Sequence, residues 1–171
     1  LLDSGADGII VPTVEKPEQV EMLIECLKYP PIGKRGYGIA RAQQYGHNFD
    51  NYIKDWNNSS ILIIQIESIR AVENIESLIS FEEVDGVMIG PYDISGSLGI
   101  PGDISNEKVI EAGKLVIDAC KKFGKSCGTQ DTEPTQKTIA EKFESGFNFV
   151  VLGSDIFLMW KWAEKMKQHL L

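Results

Sequence analysis

The chain has 171 residues, 43% hydrophobic, 9% aromatic and 25% charged, which suits about one globular domain with a core of its own. Its formal net charge of −8 argues against a nucleic-acid or anionic-membrane surface, either of which needs a lysine and arginine excess on at least one face. Three cysteines, Cys26, Cys120 and Cys127, form no disulfide or zinc pattern and fit a reduced, cytoplasmic setting, and no run reaches the roughly 18 apolar residues of a membrane span.

The opening "LLDSGADGIIVPT" has no initiator methionine and reads as the end of a helix, a turn and a strand over 8–13, so a preceding segment is expected. A helix over 17–28, "PEQVEMLIECLK", is stopped by Pro30 and Pro31. The irregular stretch 29–60 is long enough to be functional or to carry extra helix, and "FDNYIKDWNN" within it reads as a short helix with Tyr52, Ile53 and Trp56 inward. Strands follow over 61–67, "ILIIQIE", and 84–90, "VDGVMIG", separated by a helix over 69–80. A helix over 106–123 puts Val109, Ala112, Val116, Ala119 and Cys120 on one stripe. A weaker strand over 125–129, a helix over 133–146, a strand over 147–153 and a helix over 155–170 complete the chain.

Repeated β-α units require right-handed crossovers and a mainly parallel sheet covered by helices. Five units are too few for a closed eight-stranded barrel of about 250 residues. An open doubly wound sheet and the C-terminal five-eighths of a barrel remain. The open sheet would carry a glycine-rich phosphate turn after a strand, whereas "GKRGYG" (33–38) follows "YPPIG" and not a strand.

The chemistry concentrates in "IIQIES" and "IGPYDIS". With a period of two, Gln65 and Glu67 share one face of their strand and point to a barrel mouth, while Ile64 and Ile66 pack under helices. Asp93 approaches from the end of the next run. Two converging carboxylates repel unless a cation sits between them, and a hard divalent ion of the magnesium or manganese type suits one or two carboxylates plus waters and substrate. The alternative is that Asp93 N-caps the following turn and Glu67 pairs with Arg70.

The segments "LDSGADGIIVPTVEKPEQVEMLIECLKYPPIGKRGYG", "QIESIRAVENIESL", "VDGVMIGPYDISGSLGIPG" and "FNFVVLGSDIFLM" resemble the HpcH/HpaI family of metal-dependent (class II) pyruvate aldolases, along essentially the whole chain. The resemblance implies an α/β fold, the TIM (β/α)8 barrel, of which residues 1–171 form the C-terminal five β-α units, about strands 4–8. It implies Glu67 and Asp93 as ligands of a divalent metal, Mg or Mn or else Co, with Gln65 lining the site and the amides of Tyr92 and Asp93 receiving the substrate carboxylate. The implied reaction is cleavage or condensation of 4-hydroxy-2-keto acids to pyruvate and an aldehyde, through an enolate stabilised by the cation acting as a Lewis acid. No Schiff-base lysine is needed, and none of "EKP", "LKY" or "GKR" ends a buried strand.

The family's base histidine, its aspartate partner and the substrate arginine belong to the first three units, so the 171 residues alone are expected to be inactive and poorly stable. His47 reads as a solvated loop side chain and His169 as a helix C-terminal charge. Arg35 reads as a loop anchor bonded to backbone carbonyls, or else as a contact at the substrate mouth or a subunit interface. "SGSLGIPGDIS" (95–105) reads as a mobile loop beside the site, and Trp160 and Trp162 as packing residues on a helix that reaches a neighbouring subunit of a homo-oligomer, a trimer or hexamer by resemblance. Two alternatives stand beside the aldolase: a citrate-lyase-beta-like lyase acting on a CoA thioester, which would want a basic patch for the coenzyme phosphates, and a non-catalytic remnant kept as an assembly partner.

Overall fold

The computed structural model describes residues 1–169. The five apolar runs form β1 (Gly8–Val11), β2 (Ile61–Ile66), β3 (Gly86–Ile89), β4 (Ser126–Asp131) and β5 (Phe149–Leu152). All four neighbouring pairs are parallel and the spatial order is the sequence order, so the strands make one half-barrel sheet with β1 and β5 at its edges. Strand order never reverses, and the doubly wound alternative is thereby excluded.

Helices follow each strand: α1 (Pro17–Leu27), α2 (Phe49–Ser59), α3 (Ile69–Glu73), α4 (Ile75–Ile79), α5 (Pro91–Ser97), α6 (Glu107–Phe123), α7 (Gln136–Glu144) and α8 (Asp155–Lys167). Leu62, Ile64, Ile66, Val87, Ile89 and Cys127 point outward from the sheet and are buried beneath these helices, and the expected stripe of α6 is buried with them. The opposite, inner face of the sheet carries Ile10, Ile63, Gln65, Met88 and Phe149 in register, with the Phe149 ring lying against Gly128. Ile10 and Ile61 on that face are exposed.

The structure departs from the sequence expectations at several points. The single helix expected over 69–80 is broken at Asn74, whose side-chain amide donates to the backbone oxygen of Glu15 (2.9 Å). The loop expected over 95–105 begins as helix: α5 reaches Ser97, with Ile94 and Ser95 buried. β4 runs on to Asp131, and the stretch 29–60 contains a 3-10 turn over Arg41–Gly46 as well as α2. The helix expected over 155–170 is seen over Asp155–Lys167, and residue 170 lies outside the described residues. Trp160 and Trp162 are exposed.

Arg35 is anchored, but not by backbone carbonyls. Its guanidinium pairs with Asp3 (2.7 Å), donates to the Tyr52 hydroxyl (3.2 Å) and stands over the rings of Trp56 (4.3 Å) and Tyr29 (4.7 Å). Asp3 lies in a 3-10 turn (Leu2–Ser4) a few residues before β1 and α2 immediately precedes β2, so this cluster lies at the N-terminal end of the strands and not at the mouth. Burial works against the charge, yet the bonds to Asp3 and Tyr52 outweigh it and raise the pKa. Trp56 closes the cluster by donating its indole N–H to Leu27 O (2.8 Å).

Removing the buried guanidinium loses its stacking over Trp56 and Tyr29 and leaves a gap among them, so Arg35→Ala is expected to destabilise the protein by about 1–3 kcal/mol in urea unfolding. Lys34→Ala, whose pairing with Glu25 is solvent-exposed, should change stability by less than about 1 kcal/mol.

Candidate active site

The chemistry sits at the C-terminal edge of the sheet. β2 delivers Glu67 one residue past its end, and the parallel register of Ile66 with Ile89 places Gly90 beside it, with the Gly90 amide bonded to Ile66 O (3.0 Å). Glu67 Oε1 accepts two bonds from the loop after β1, from the Thr13 amide (2.6 Å) and the Thr13 hydroxyl (3.2 Å). Ser68 caps α3 by accepting from the Ala71 amide (3.2 Å), and its hydroxyl donates to Glu15 (2.6 Å). Arg70 lies 3.8 Å from Glu15, so it does not pair with Glu67 as the alternative reading required.

Asp93 is the third residue of α5, whose N-cap is Gly90, and its carboxylate makes no capping bond. The first bond within this helix is donated by Ile94 to Gly90 O (3.0 Å), so the Tyr92 and Asp93 amides have no partner inside the helix. Buried Ile94 seats α5 against the core. The Ser95 hydroxyl donates to Tyr92 O (2.6 Å) and accepts from the Gly102 amide (2.9 Å), and the Ser97 hydroxyl accepts from the Ile69 amide (3.0 Å).

These supports bring the two carboxylates over Gly90. A Cβ on that residue would lie 3.1 Å from Glu67 Cβ, 3.3 Å from Asp93 Oδ2 and 3.6 Å from Glu67 Oε2. The missing side chain is what lets both oxygens face one point. Among the described residues, no hydrogen bond or ion pair engages Glu67 Oε2 or Asp93 Oδ2. The carboxylates line a cavity of about 220 Å³ together with Thr13, Val14, Glu15 and Ser68. Among the described residues no group of three or more His, Cys, Asp or Glu makes a complete metal cage. Two carboxylates with open positions fit a hard divalent ion that keeps water and substrate as its remaining ligands.

Of the residues singled out in the sequence, Glu67 and Asp93 are brought together. Gln65 lies on the same inner face beside Met88, half-buried, with no side-chain bond among the described residues, and it does not line the carboxylate cavity. The Tyr92 ring is exposed. His47 is exposed and precedes α2 at the opposite end of the sheet; His169 is exposed and follows α8. Lys28, at that far end too, is buried and donates to Ser60 Oγ (2.8 Å), Asn57 O (2.8 Å) and Ser60 O (3.1 Å). Burial lowers its pKa against the pull of Asp85 and Glu83, but it stands at the wrong end of the strands for a Schiff base at the mouth. Contact with Cys120, followed by burial, pushes the Cys127 thiol up, and the side chain is packed in the core.

Sequence reasoning passed over three residues. Thr13 and Gly90 carry only backbone signals, a "PT" after a strand and a glycine before a proline. Asp131, at the end of β4, is buried; one oxygen accepts the Glu133 amide (3.1 Å) and the other has no partner among the described residues. An aspartate ending a strand with "TEPT" after it reads as a turn former, and no signal marks its burial.

A parallel β/α half-barrel with paired carboxylates beyond the C-terminal ends of adjacent strands defines the class, that of β/α proteins whose ligand site is the mouth. Within that class the assignment is specific. The sequence model of the HpcH/HpaI aldolase/citrate lyase family matches residues 1–161, and the chain belongs to that family. It is 38% identical over 166 residues to the 2-keto-3-deoxy-L-rhamnonate aldolase of Salmonella dublin, a match covering 92% of this chain and 59% of that protein. The crystal structure of an HpcH/HpaI aldolase from Desulfitobacterium hafniense DCB-2 superposes with a TM-score of 0.89 at 28% identity, over 99% of this chain and 65% of that one. That of an HpcH/HpaI aldolase/citrate lyase family protein from Burkholderia cenocepacia J2315 gives 0.89 at 26%, over 99% and 66%. The chain therefore spans about three-fifths of the curated relative's length.

Gly90 has φ −103° and tolerates alanine conformationally, so Gly90→Ala acts only through the cradle. It is expected to weaken Mn²⁺ binding by about tenfold or more in a calorimetric titration while leaving the far-ultraviolet circular dichroism unchanged. Equal affinity in the two proteins would show that the carboxylates do not share a cation.

Proposed function

We propose that this chain forms strands 4–8 of a TIM (β/α)8 barrel and supplies the metal end of a divalent-metal-dependent aldolase, which interconverts a 4-hydroxy-2-keto acid with pyruvate and an aldehyde. The convergence of Glu67 and Asp93 over Gly90 carries the reading. The family assignment and the 2-keto-3-deoxy acid named for the Salmonella dublin relative support the substrate class.

Glu67 and Asp93 would hold Mg, Mn or Co. The bound ion would supply positive charge against the negative charge that develops on the C2 oxygen as the C3–C4 bond breaks. The Tyr92 and Asp93 amides, free within α5, are the donors for the substrate carboxylate, and Gln65 stands on the inner face of the sheet beside Met88, outside the carboxylate cavity. Cleavage removes the proton of the C4 hydroxyl and returns one to C3. Among the described residues neither histidine lines the carboxylate cavity, so the proton carrier comes from elsewhere in the assembled site. The exposed apolar face of α8, with Ile156, Met159, Trp160 and Trp162, and the exposed inner face of the sheet suit a protein that works as a homo-oligomer with a completed barrel. No helix among the described residues is long and apolar enough to cross a membrane.

Pyruvate release, coupled to lactate dehydrogenase, tests the reading with Mg²⁺ or Mn²⁺ added to the chelator-treated protein with its barrel complete. Release should depend on the metal, and Glu67→Gln and Asp93→Asn should each lower kcat/KM by about a thousandfold. Cleavage of a CoA thioester but not of a free 4-hydroxy-2-keto acid would establish the citrate-lyase-beta-type reaction instead. Failure of both substrates with every metal, in a protein that carries the completed barrel, would establish the non-catalytic remnant.

A further inference from the structure

Thr13 combines two features that ordinary loop residues lack. It is a β-branched residue at φ 60°, in the left-handed region that disfavours such side chains, and both its polar donors converge on a single oxygen of a single carboxylate, Glu67 Oε1. The surroundings hold it there. Gln19 donates its side-chain amide to Thr13 O (3.1 Å) and accepts the amides of Glu15 (2.8 Å) and Lys16 (3.0 Å), while Val14 is buried in the core. Strain of this kind persists only where neighbouring contacts over-determine it, and it collects at sites where a group must be aimed.

We propose that Thr13 is a positioning residue. It occupies Oε1 of Glu67 so that Oε2, the oxygen facing Asp93 across Gly90, is the one presented to a divalent cation. The role rests on the metal-binding reading above. A glutamate side chain otherwise has three rotatable bonds and could turn either oxygen, or both, toward the ion. The amide bond would survive any substitution of Thr13 that keeps the backbone in place, so the hydroxyl is the part a side-chain change can remove. Thr13→Val keeps the branched shape and its strain but loses the hydroxyl; Thr13→Ser keeps the hydroxyl.

The test is Mn²⁺ binding to the metal-free protein, followed by the electron paramagnetic resonance of the free ion, beside the melting temperature of each metal-free variant. Thr13→Val should weaken Mn²⁺ binding by about fivefold or more, and Thr13→Ser should restore affinity to within about twofold of wild type. Melting temperatures should agree to within about 2 °C, since the packing is conserved. Affinity unchanged in Thr13→Val, or lost equally in Thr13→Ser, would overturn the positioning role while leaving the metal site standing. No Mn²⁺ binding by the wild-type protein, or binding untouched by Glu67→Gln, would overturn the metal reading itself and the positioning role with it.

Discussion

Two carboxylates facing one point repel each other, and much of the C-terminal edge of this sheet is built to keep Glu67 and Asp93 there. Each is held from a different side. Glu67 is gripped from β1 through Thr13, while Asp93 rides on a seven-residue helix pinned by Ile94, Ser95 and Ser97. Gly90 lies between them and contributes by having no side chain. Neighbouring charge is taken out of play: Glu15, a third carboxylate in the same cavity wall, is committed to Ser68 and Arg70.

The two ends of the sheet divide the work. At the N-terminal end the polar groups are paired or stacked: Arg35 among Asp3, Tyr52, Tyr29 and Trp56, and Lys28 with three acceptors. Charges so satisfied stabilise the connection between α1 and β2 and have nothing left to offer a ligand. At the C-terminal end the Asp93 carboxylate, one Glu67 oxygen and the first amides of α5 lack partners among the described residues. That asymmetry is characteristic of β/α barrels, in which one face carries stability and the other chemistry.

The strands were legible because they are buried under helices, and burial requires unbroken apolar runs. Ile64 and Ile66 outward with Gln65 and Glu67 inward followed from the period of two alone. Other features depend on contacts distant in sequence. The break at Asn74 exists because Glu15 O, 59 positions away, accepts its amide. The anchoring of Arg35 requires Asp3, 32 residues earlier, to lie beside α2. α5 begins with Pro-Tyr-Asp-Ile-Ser-Gly, a composition that reads as a turn, and it is helical because Ile94 has a core to enter.

The sequence by itself determined the β-α order, the faces of the strands and, through motifs in their family order, the identity of the carboxylate pair. Those properties are local: they follow from periodicity and from residue types a few positions apart. Only the tertiary structure decided that Glu67 bonds Thr13 and leaves Arg70 to Glu15, that Gly90 is the cradle, and that Arg35 and His47 stand far from the mouth. These are distances between segments separated by tens of residues, set by strand register and helix packing together, and no single stretch of the chain encodes them.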